Sequence, residues 1–161
     1  MTDLCPCGSA LSYDKCCGQY IEDKMTAPTA EALMRSRYTA YTLDNMDYIQ
    51  LTMSGKALAA FKQTHKQDKP TPVKWHPLHV IESHTDKKDA QHAFVTFFTS
   101  YALNNRIQTI YECSEFINKN GQWYYIDGKL QTIAPKDPCP CQSGKKYKKM
   151  LFFAQLNSRA W

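Results

Sequence analysis

Four thiols crowd the start of the chain. Cys5-Pro6-Cys7 is followed, after eight intervening residues, by Cys16-Cys17, which puts four cysteines within thirteen positions. Zinc takes four soft ligands at tetrahedral corners, with sulfur about 2.3 Å from the metal. The Cys-x-Cys turn presents two thiolates from one side, and the vicinal pair closes the site after a short loop. Gly8 and Ser9 help the chain turn back behind the metal. A segment this short has no core of its own, so the metal has to hold it; structural zinc in small fingers contributes about 10–16 kcal/mol apparent. Cys5, Cys7, Cys16 and Cys17 are therefore the expected metal ligands and zinc the expected cofactor. Four thiolates leave no open coordination position, so a structural site is expected, not a catalytic one. The competing reading of the same residues is reduced free thiols or a redox pair.

The pattern recurs 134 residues later. Cys139-Pro140-Cys141-Gln142-Ser143 repeats Cys5-Pro6-Cys7-Gly8-Ser9, and Tyr147 and Lys149 repeat Tyr13 and Lys15. The register then sets Met150 and Leu151 opposite Cys16 and Cys17. A thioether is a poor zinc ligand and leucine is none, so the second motif, Cys139 and Cys141, is degenerate and is expected not to close alone. The genetic code offers one account of both changes. Lys-Lys-Cys-Cys written AAA AAA TGC TGT becomes Lys-Lys-Met-Leu-Phe when one A is added. An out-of-frame tail from Met150 to Trp161 and plain drift of the second site both remain open.

The run Cys-Pro-Cys-Gly-Ser followed by Tyr-x-Lys-Cys-Cys-Gly resembles the SEC-C motif, the zinc knuckle at the C-terminus of the SecA preprotein translocase ATPase. One motif at each end flanks a body that opens Glu31-Ala32-Leu33-Met34-Arg35-Ser36-Arg37-Tyr38. With Glu112-Cys113-Ser114-Glu115-Phe116 and Trp123-Tyr124-Tyr125-Ile126-Asp127-Gly128, the chain looks like the bacterial YchJ-like family. The resemblance covers the chain nearly to Lys149. It implies a middle domain of the nuclear-transport-factor-2-like fold, a cone of helices over a strongly bent sheet, and no particular activity. In SecA the knuckle contributes to binding the SecB chaperone. A protein partner, SecB-like or ribosome-associated, is thus implied here by analogy alone.

The elements that must position these residues agree with that cone. Residues 1–20 read as a zinc knuckle, 28–134 as an α+β body and 135–161 as the degenerate second knuckle, with Pro135, Pro138 and Pro140 marking an extended junction. Thr29 can cap a helix whose face carries Ala30, Leu33, Met34, Tyr38 and Tyr41. Asp44 is a second cap before Tyr48, and Ser54 a third before Ala57–Phe61. The polar run Lys62–Lys69 is a loop. From Val73 the chain turns to β-branched and aromatic residues, with strands expected over Val73–Ser83, Ala93–Tyr101, Ile107–Ile117 and Gln122–Ile126. Asn120-Gly121 is a strong hairpin signal. Helices first and antiparallel strands afterwards give an α+β fold, N-terminal helices over a curved sheet.

Composition narrows the function classes. The net charge of +5 comes from the last 26 residues; the rest balances basic against acidic side chains. A neutral body excludes a broad nucleic-acid face, leaving only weak contacts of the basic tail. No apolar run has the length to span a bilayer. The first residues lack a basic n-region and an apolar h-region, so no signal peptide is read and a cytoplasmic location is expected. Lone Cys113 reads as a small core residue.

The hairpin register yields a candidate pocket. Pairing Lys119 with Gln122 places Ile110, Glu112, Ser114, Phe116, Trp123, Tyr125 and Asp127 on one sheet face. Arg35, Arg37 and Tyr38 lie on the helix expected to cover it, with one arginine within salt-bridge reach of Glu112. Arg35, Arg37, Tyr38, Glu112, Ser114, Trp123 and Tyr125 are the pocket candidates. No catalytic residue is assigned: no His-Asp pair is fixed by motif spacing, and no phosphate loop is present. His76 and His79, read in a strand, would face opposite ways. The expected function is a cytoplasmic zinc-binding docking protein, its knuckle contacting a partner and its cone serving as scaffold or receptor. The alternative is a small-molecule carrier or enzyme using the cone. The knuckle is expected to be an appendage, releasable without unfolding the body.

Overall fold

The computed structural model describes residues 3–64, 73–104 and 106–148. After a 3-10 turn at Tyr13–Lys15 come four helices, α1 (Gly18–Ile21), α2 (Ala30–Thr42), α3 (Met46–Leu51) and α4 (Gly55–Thr64). Five strand segments follow, β1 (Lys74–Trp75), β2 (His79–Thr85), β3 (His92–Leu103), β4 (Arg106–Lys119) and β5 (Gln122–Leu130). The architecture is α+β. Among the described residues no helix is long and apolar enough to cross a membrane.

Thr29 caps α2 through its side chain, which accepts the Ala32 N–H at 3.1 Å. The next cap is Asn45, one residue beyond the expected Asp44: Asn45 Oδ1 accepts the Tyr48 N–H at 3.0 Å. Asp44 instead takes a left-handed φ of 57° and turns the chain between α2 and α3. The side-chain amide can then reach N3 from the residue that enters the helix directly. Of the expected loop Lys62–Lys69, Lys62 belongs to α4, and the part from His65 lies outside the described residues.

The sheet is antiparallel throughout. β3 pairs with β4 along twelve consecutive residues, from His92↔Ile117 to Leu103↔Arg106, and β5 lies outside β4. The expected first strand is broken. β1 and β2 occupy the same edge of β3, separated by His76-Pro77-Leu78. Pro77 has no N–H to give a ladder, which interrupts pairing.

Asn120 and Gly121 both have positive φ, 54° and 85°, as the tight hairpin requires. The pairs from Lys119↔Gln122 to Phe116↔Tyr125 follow the expected register. A bulge then intervenes: Phe116 faces Tyr125, but Glu115 faces Asp127, leaving Ile126 unpaired. Asp127 is therefore carried to the opposite face from Glu112, contrary to the simple alternation, and Gly128 comes opposite Ser114. The backbone at this point also serves a second partner. Tyr125 N–H donates to Thr52 O and Ser54 N–H to Tyr125 O, both at 2.9 Å.

One face of the sheet carries Ala93, Val95 and Phe116, all buried, against Leu33, Met34 and Tyr38 of α2. The other buries Phe98 between Tyr111 and Tyr147, with ring centroids 6.4 and 6.3 Å away. Cys113 is half-buried beside that second face, not a core residue.

Candidate functional site

The knuckle brings Cys5, Cys7, Cys16 and Cys17 together from two backbone turns. Cys5–Gly8 closes with Gly8 N–H donating to Cys5 O at 3.2 Å, and the 3-10 turn delivers Cys16 and Cys17 at the start of α1. All four Sγ atoms lie within 4.8 Å of one another, with Cys7–Cys16 at 3.6 Å and Cys16–Cys17 at 3.9 Å. Four bonds of the zinc–sulfur length set neighbouring sulfurs about 3.8 Å apart in a tetrahedron. Every described cysteine is free of disulfide. The donor set fits a soft divalent metal, and among the described residues it is the one cluster of three or more metal-ligating side chains.

Proton sharing supports the same chemistry. Hydrogen bonding from Cys17, with help from Ser9, pushes the Cys7 thiol down to about 4 against its burial. The same bond and burial push Cys17 up. Close thiols that lower the proton affinity of one of their number in this way favour a metal, whose binding releases their protons.

This knuckle is not an appendage. Cys5, Cys7 and Cys17 are buried to 4%, 0% and 1% and belong to the same apolar cluster as Leu33, Ile49, Leu78 and Val95. Cys5 Sγ lies 3.8 Å from Thr39 Oγ1 of α2. Arg35, expected at the pocket, serves the knuckle instead: Nη1 donates to Cys7 O at 3.1 Å while Nε pairs with Glu31 at 2.8 Å. Residues two apart on a helix point about 200° apart, so Arg35 and Arg37 could not share a face.

The second knuckle repeats the first in its backbone. Cys139 N–H donates to Lys145 O at 2.8 Å as Cys5 N–H does to Leu11 O, and Tyr147 N–H to Asp137 O at 2.9 Å as Tyr13 N–H does to Asp3 O at 3.0 Å. Gln142 takes a φ of 58° where Gly8 has 77°. Cys139 is buried and Cys141 half-exposed, with no further cysteine in reach among the described residues. Lys149 and the Met150–Trp161 tail lie outside the described residues. This half-knuckle sits over Phe98, where Cys141 and Ser143 border a recess of about 270 Å³ with His76 and His79. The two histidines thus share a recess, contrary to the strand reading, because the chain is broken between them.

Between α2 and the sheet opens a cavity of about 790 Å³. Arg37, Tyr38, Glu112, Ser114 and Tyr125 line it as expected residue by residue, whereas Arg35 and Trp123 do not. Trp123 shares their face but stands near the hairpin end, half-buried against the core. Arg37 and Glu112 form no ion pair. Arg37 Nη1 donates to Ile49 O at 2.9 Å and Thr52 Oγ1 at 2.7 Å, and its Cζ lies 4.7 Å from the Tyr125 ring centroid. Glu112 Oε1 accepts from Ser114 Oγ at 2.7 Å and Tyr125 Oη at 3.3 Å. Tyr125 stands between the two charges. Gly128 makes the room: a Cβ there would run into the Glu112 carboxylate and the Tyr125 hydroxyl. Sequence reasoning missed Trp75, Tyr41, Phe97 and Tyr101, which line the same cavity. Tyr41 was legible, four residues after Arg37 on one helix face. Trp75 lies on the detached two-residue β1, and its buried Nε1 has no hydrogen-bond partner among the described residues.

Residues 29–128 match the family model described as YchJ, middle NTF2-like domain. The chain belongs to the YchJ family. SEC-C motifs match residues 1–19 and 136–149 on either side of that YchJ domain. A UPF0225 protein of Enterobacter sp. (strain 638) is 40% identical over 149 residues, 92% of this chain and 97% of its own. The solution structure of a SEC-C motif containing protein from Rhodopseudomonas palustris is similar at a TM-score of 0.63 and 28% identity, over 82% of this chain and all of that one. A crystal structure of a SEC-C motif containing protein from Psychrobacter arcticus gives 0.58 and 28%, covering 94% and 96%.

Proposed function

We propose that this YchJ protein is a zinc-stapled receptor for a small molecule, with the cone cavity as its binding site. The carrying observation is the cavity itself. It has the size of a ligand site, an apolar and aromatic lining, and a few convergent polar groups: Arg37, Glu112, Ser114, Tyr125 and Trp75 Nε1–H, which has no partner among the described residues. The metal reads as zinc because four cysteine sulfurs at tetrahedral spacing are the donor set zinc favours. Its role is structural, since the ligands are built into the core of the fold. The one serine hydroxyl on a histidine ring nitrogen among the described residues, Ser100 Oγ at 3.0 Å from His76 Nδ1, borders the separate recess of about 270 Å³ and not the cone cavity, so the receptor reading assigns the cavity no reaction.

The test is a melting-temperature screen of the zinc-loaded chain against a metabolite library. A compound that raises the melting temperature of the parent, and not of Glu112→Gln, supports the receptor reading. A library that shifts neither protein, or both equally, counts against it.

A second reading, docking through the knuckle, is favoured by one observation. Leu4 and Leu11, 69% and 54% exposed, sit on the adjoining segments that frame the zinc ligands. A protein partner, SecB-like by analogy, would cover them. Capture from native lysate that survives Leu4→Ser/Leu11→Ser would argue against this surface.

A further inference from the structure

The cone cavity holds two opposite charges that do not touch. Arg37 is buried, and its two hydrogen bonds both leave from Nη1; Nε and Nη2 have no partner among the described residues. Burial also pushes its guanidinium below the usual range, as expected where no carboxylate stands close enough to pair. Glu112 engages only Oε1, leaving Oε2 without a partner among the described residues. Both residues line the one cavity, on either side of Tyr125.

A ligand with one anionic end would answer Arg37 but leave the Glu112 carboxylate facing it across a partly dehydrated space. A ligand with one cationic end would reverse the fault. Asp44 also lines the cavity but is exposed, so water already serves it. Buried Arg37 and half-buried Glu112 stand more than 4.0 Å apart with a single tyrosine between them, which suits a molecule carrying both charged ends on one carbon. The rest of the lining is aromatic. Trp75 lies with Tyr101, Tyr38 and Tyr41 at ring distances of 5.2, 5.7 and 6.0 Å. Its indole N–H is buried and asks for an acceptor.

We propose that the cavity binds a free α-amino acid with an aromatic or large apolar side chain, or a small derivative of one. Its carboxylate lies against Arg37, its ammonium against Glu112 and its side chain among Trp75, Tyr41 and Tyr101. This rests on the receptor reading above and names its ligand class. The charged ends set orientation and exclude simple hydrophobes, and the aromatic wall contributes the buried area. A carboxylate oxygen not taken by the guanidinium is the acceptor available to Trp75.

The experiment uses the zinc-loaded full chain and three probes read by calorimetry and melting: L-phenylalanine, phenethylamine and 3-phenylpropionate. The expected result is that L-phenylalanine binds about tenfold or more tightly than either analogue, because each analogue leaves one of the two cavity charges unanswered. Glu112→Gln should weaken L-phenylalanine by a similar factor and leave 3-phenylpropionate unchanged or improved. Ser114→Ala, which keeps the carboxylate and loosens its orientation, should give a smaller loss in the same direction. Near-ultraviolet circular dichroism matching the parent establishes that each variant is folded. Equal binding of the single-charge probes, or an unaffected Glu112→Gln, overturns the amino-acid proposal. If all three probes are silent while another library compound shifts the parent and not Glu112→Gln, the receptor stands and the amino acid falls. If neither probes nor library bind, both fall.

Discussion

Gly128 shows how a single hydrogen in place of a methyl group shapes the cavity. Its missing Cβ is the space that the Glu112 carboxylate and the Tyr125 hydroxyl occupy. Gly128→Ala should therefore cost about 1–3 kcal/mol in urea denaturation, since an added methyl in a filled space forces neighbours aside. It should also weaken any ligand that needs Glu112 in place. A variant as stable as the parent would mean that Glu112 moves away freely. A second residue-scale prediction concerns pH. Burial holds His76 below its ordinary value, with nearby Lys74 adding to the effect, and burial does the same for His79. Both stay neutral in the fold at a pH where the unfolded chain takes up protons. Their contribution is thus complete above about pH 6.5 and is lost as pH falls from there through the depressed values. The difference in stability between parent and His76→Gln/His79→Gln should shrink or reverse as pH is lowered from 7.5 to 5.5; a constant difference would show that neither histidine is desolvated. At this scale the sequence was legible where periodicity alone decides. Glu112, Ser114 and Tyr125 follow from counting outward from Asn120-Gly121. Asp127 does not, because one extra residue at Ile126 reverses the alternation and nothing in its side chain announces it.

Elements were easier to recognise than to bound. α2 was legible from its cap and its apolar face, but the choice between Asp44 and Asn45 as the next cap depends on backbone angles that either residue type can adopt. Asn45→Ala should cost about 1 kcal/mol in equilibrium unfolding. Asp44→Gly, at a left-handed position, should cost little or nothing. Equal losses from both would mean that Asp44 contributes more than a turn. The broken first strand was partly legible too, since Pro77 lies inside the expected run. That β1 and β2 would both return to the same edge of β3, bringing Trp75 to the cavity, follows from long-range pairing that no local signal carries.

At the scale of the whole molecule, the fold buries Cys5, Cys7 and Cys17 in the same cluster as its helices and sheet, with Cys16 half-buried against it. Purified chain should carry about one zinc, because the second knuckle offers two cysteines where four are needed. Chelation, or Cys16→Ser, should lower the melting temperature of the entire domain as one transition. A body that melts unchanged after complete metal removal would contradict the packing of Cys5, Cys7 and Cys17. The knuckle was legible as a metal motif from spacing. Its integration was not, since thiols that bind metal and thiols that pack against a core have the same sequence. One consequence concerns the order of assembly during synthesis. All four ligands lie within the first seventeen residues, while the surfaces that bury them, Thr39 on α2 and the stretch around Leu78, are translated later. The metal loop closes over a short span at small entropic cost, whereas its docking waits for contacts far along the chain. A nascent chain that meets its metal early would present a preformed local unit on which the helices condense. One that meets the metal late would have to open an assembled core to admit it. Refolding from denaturant should thus be faster with zinc present from the first millisecond than with zinc added after collapse.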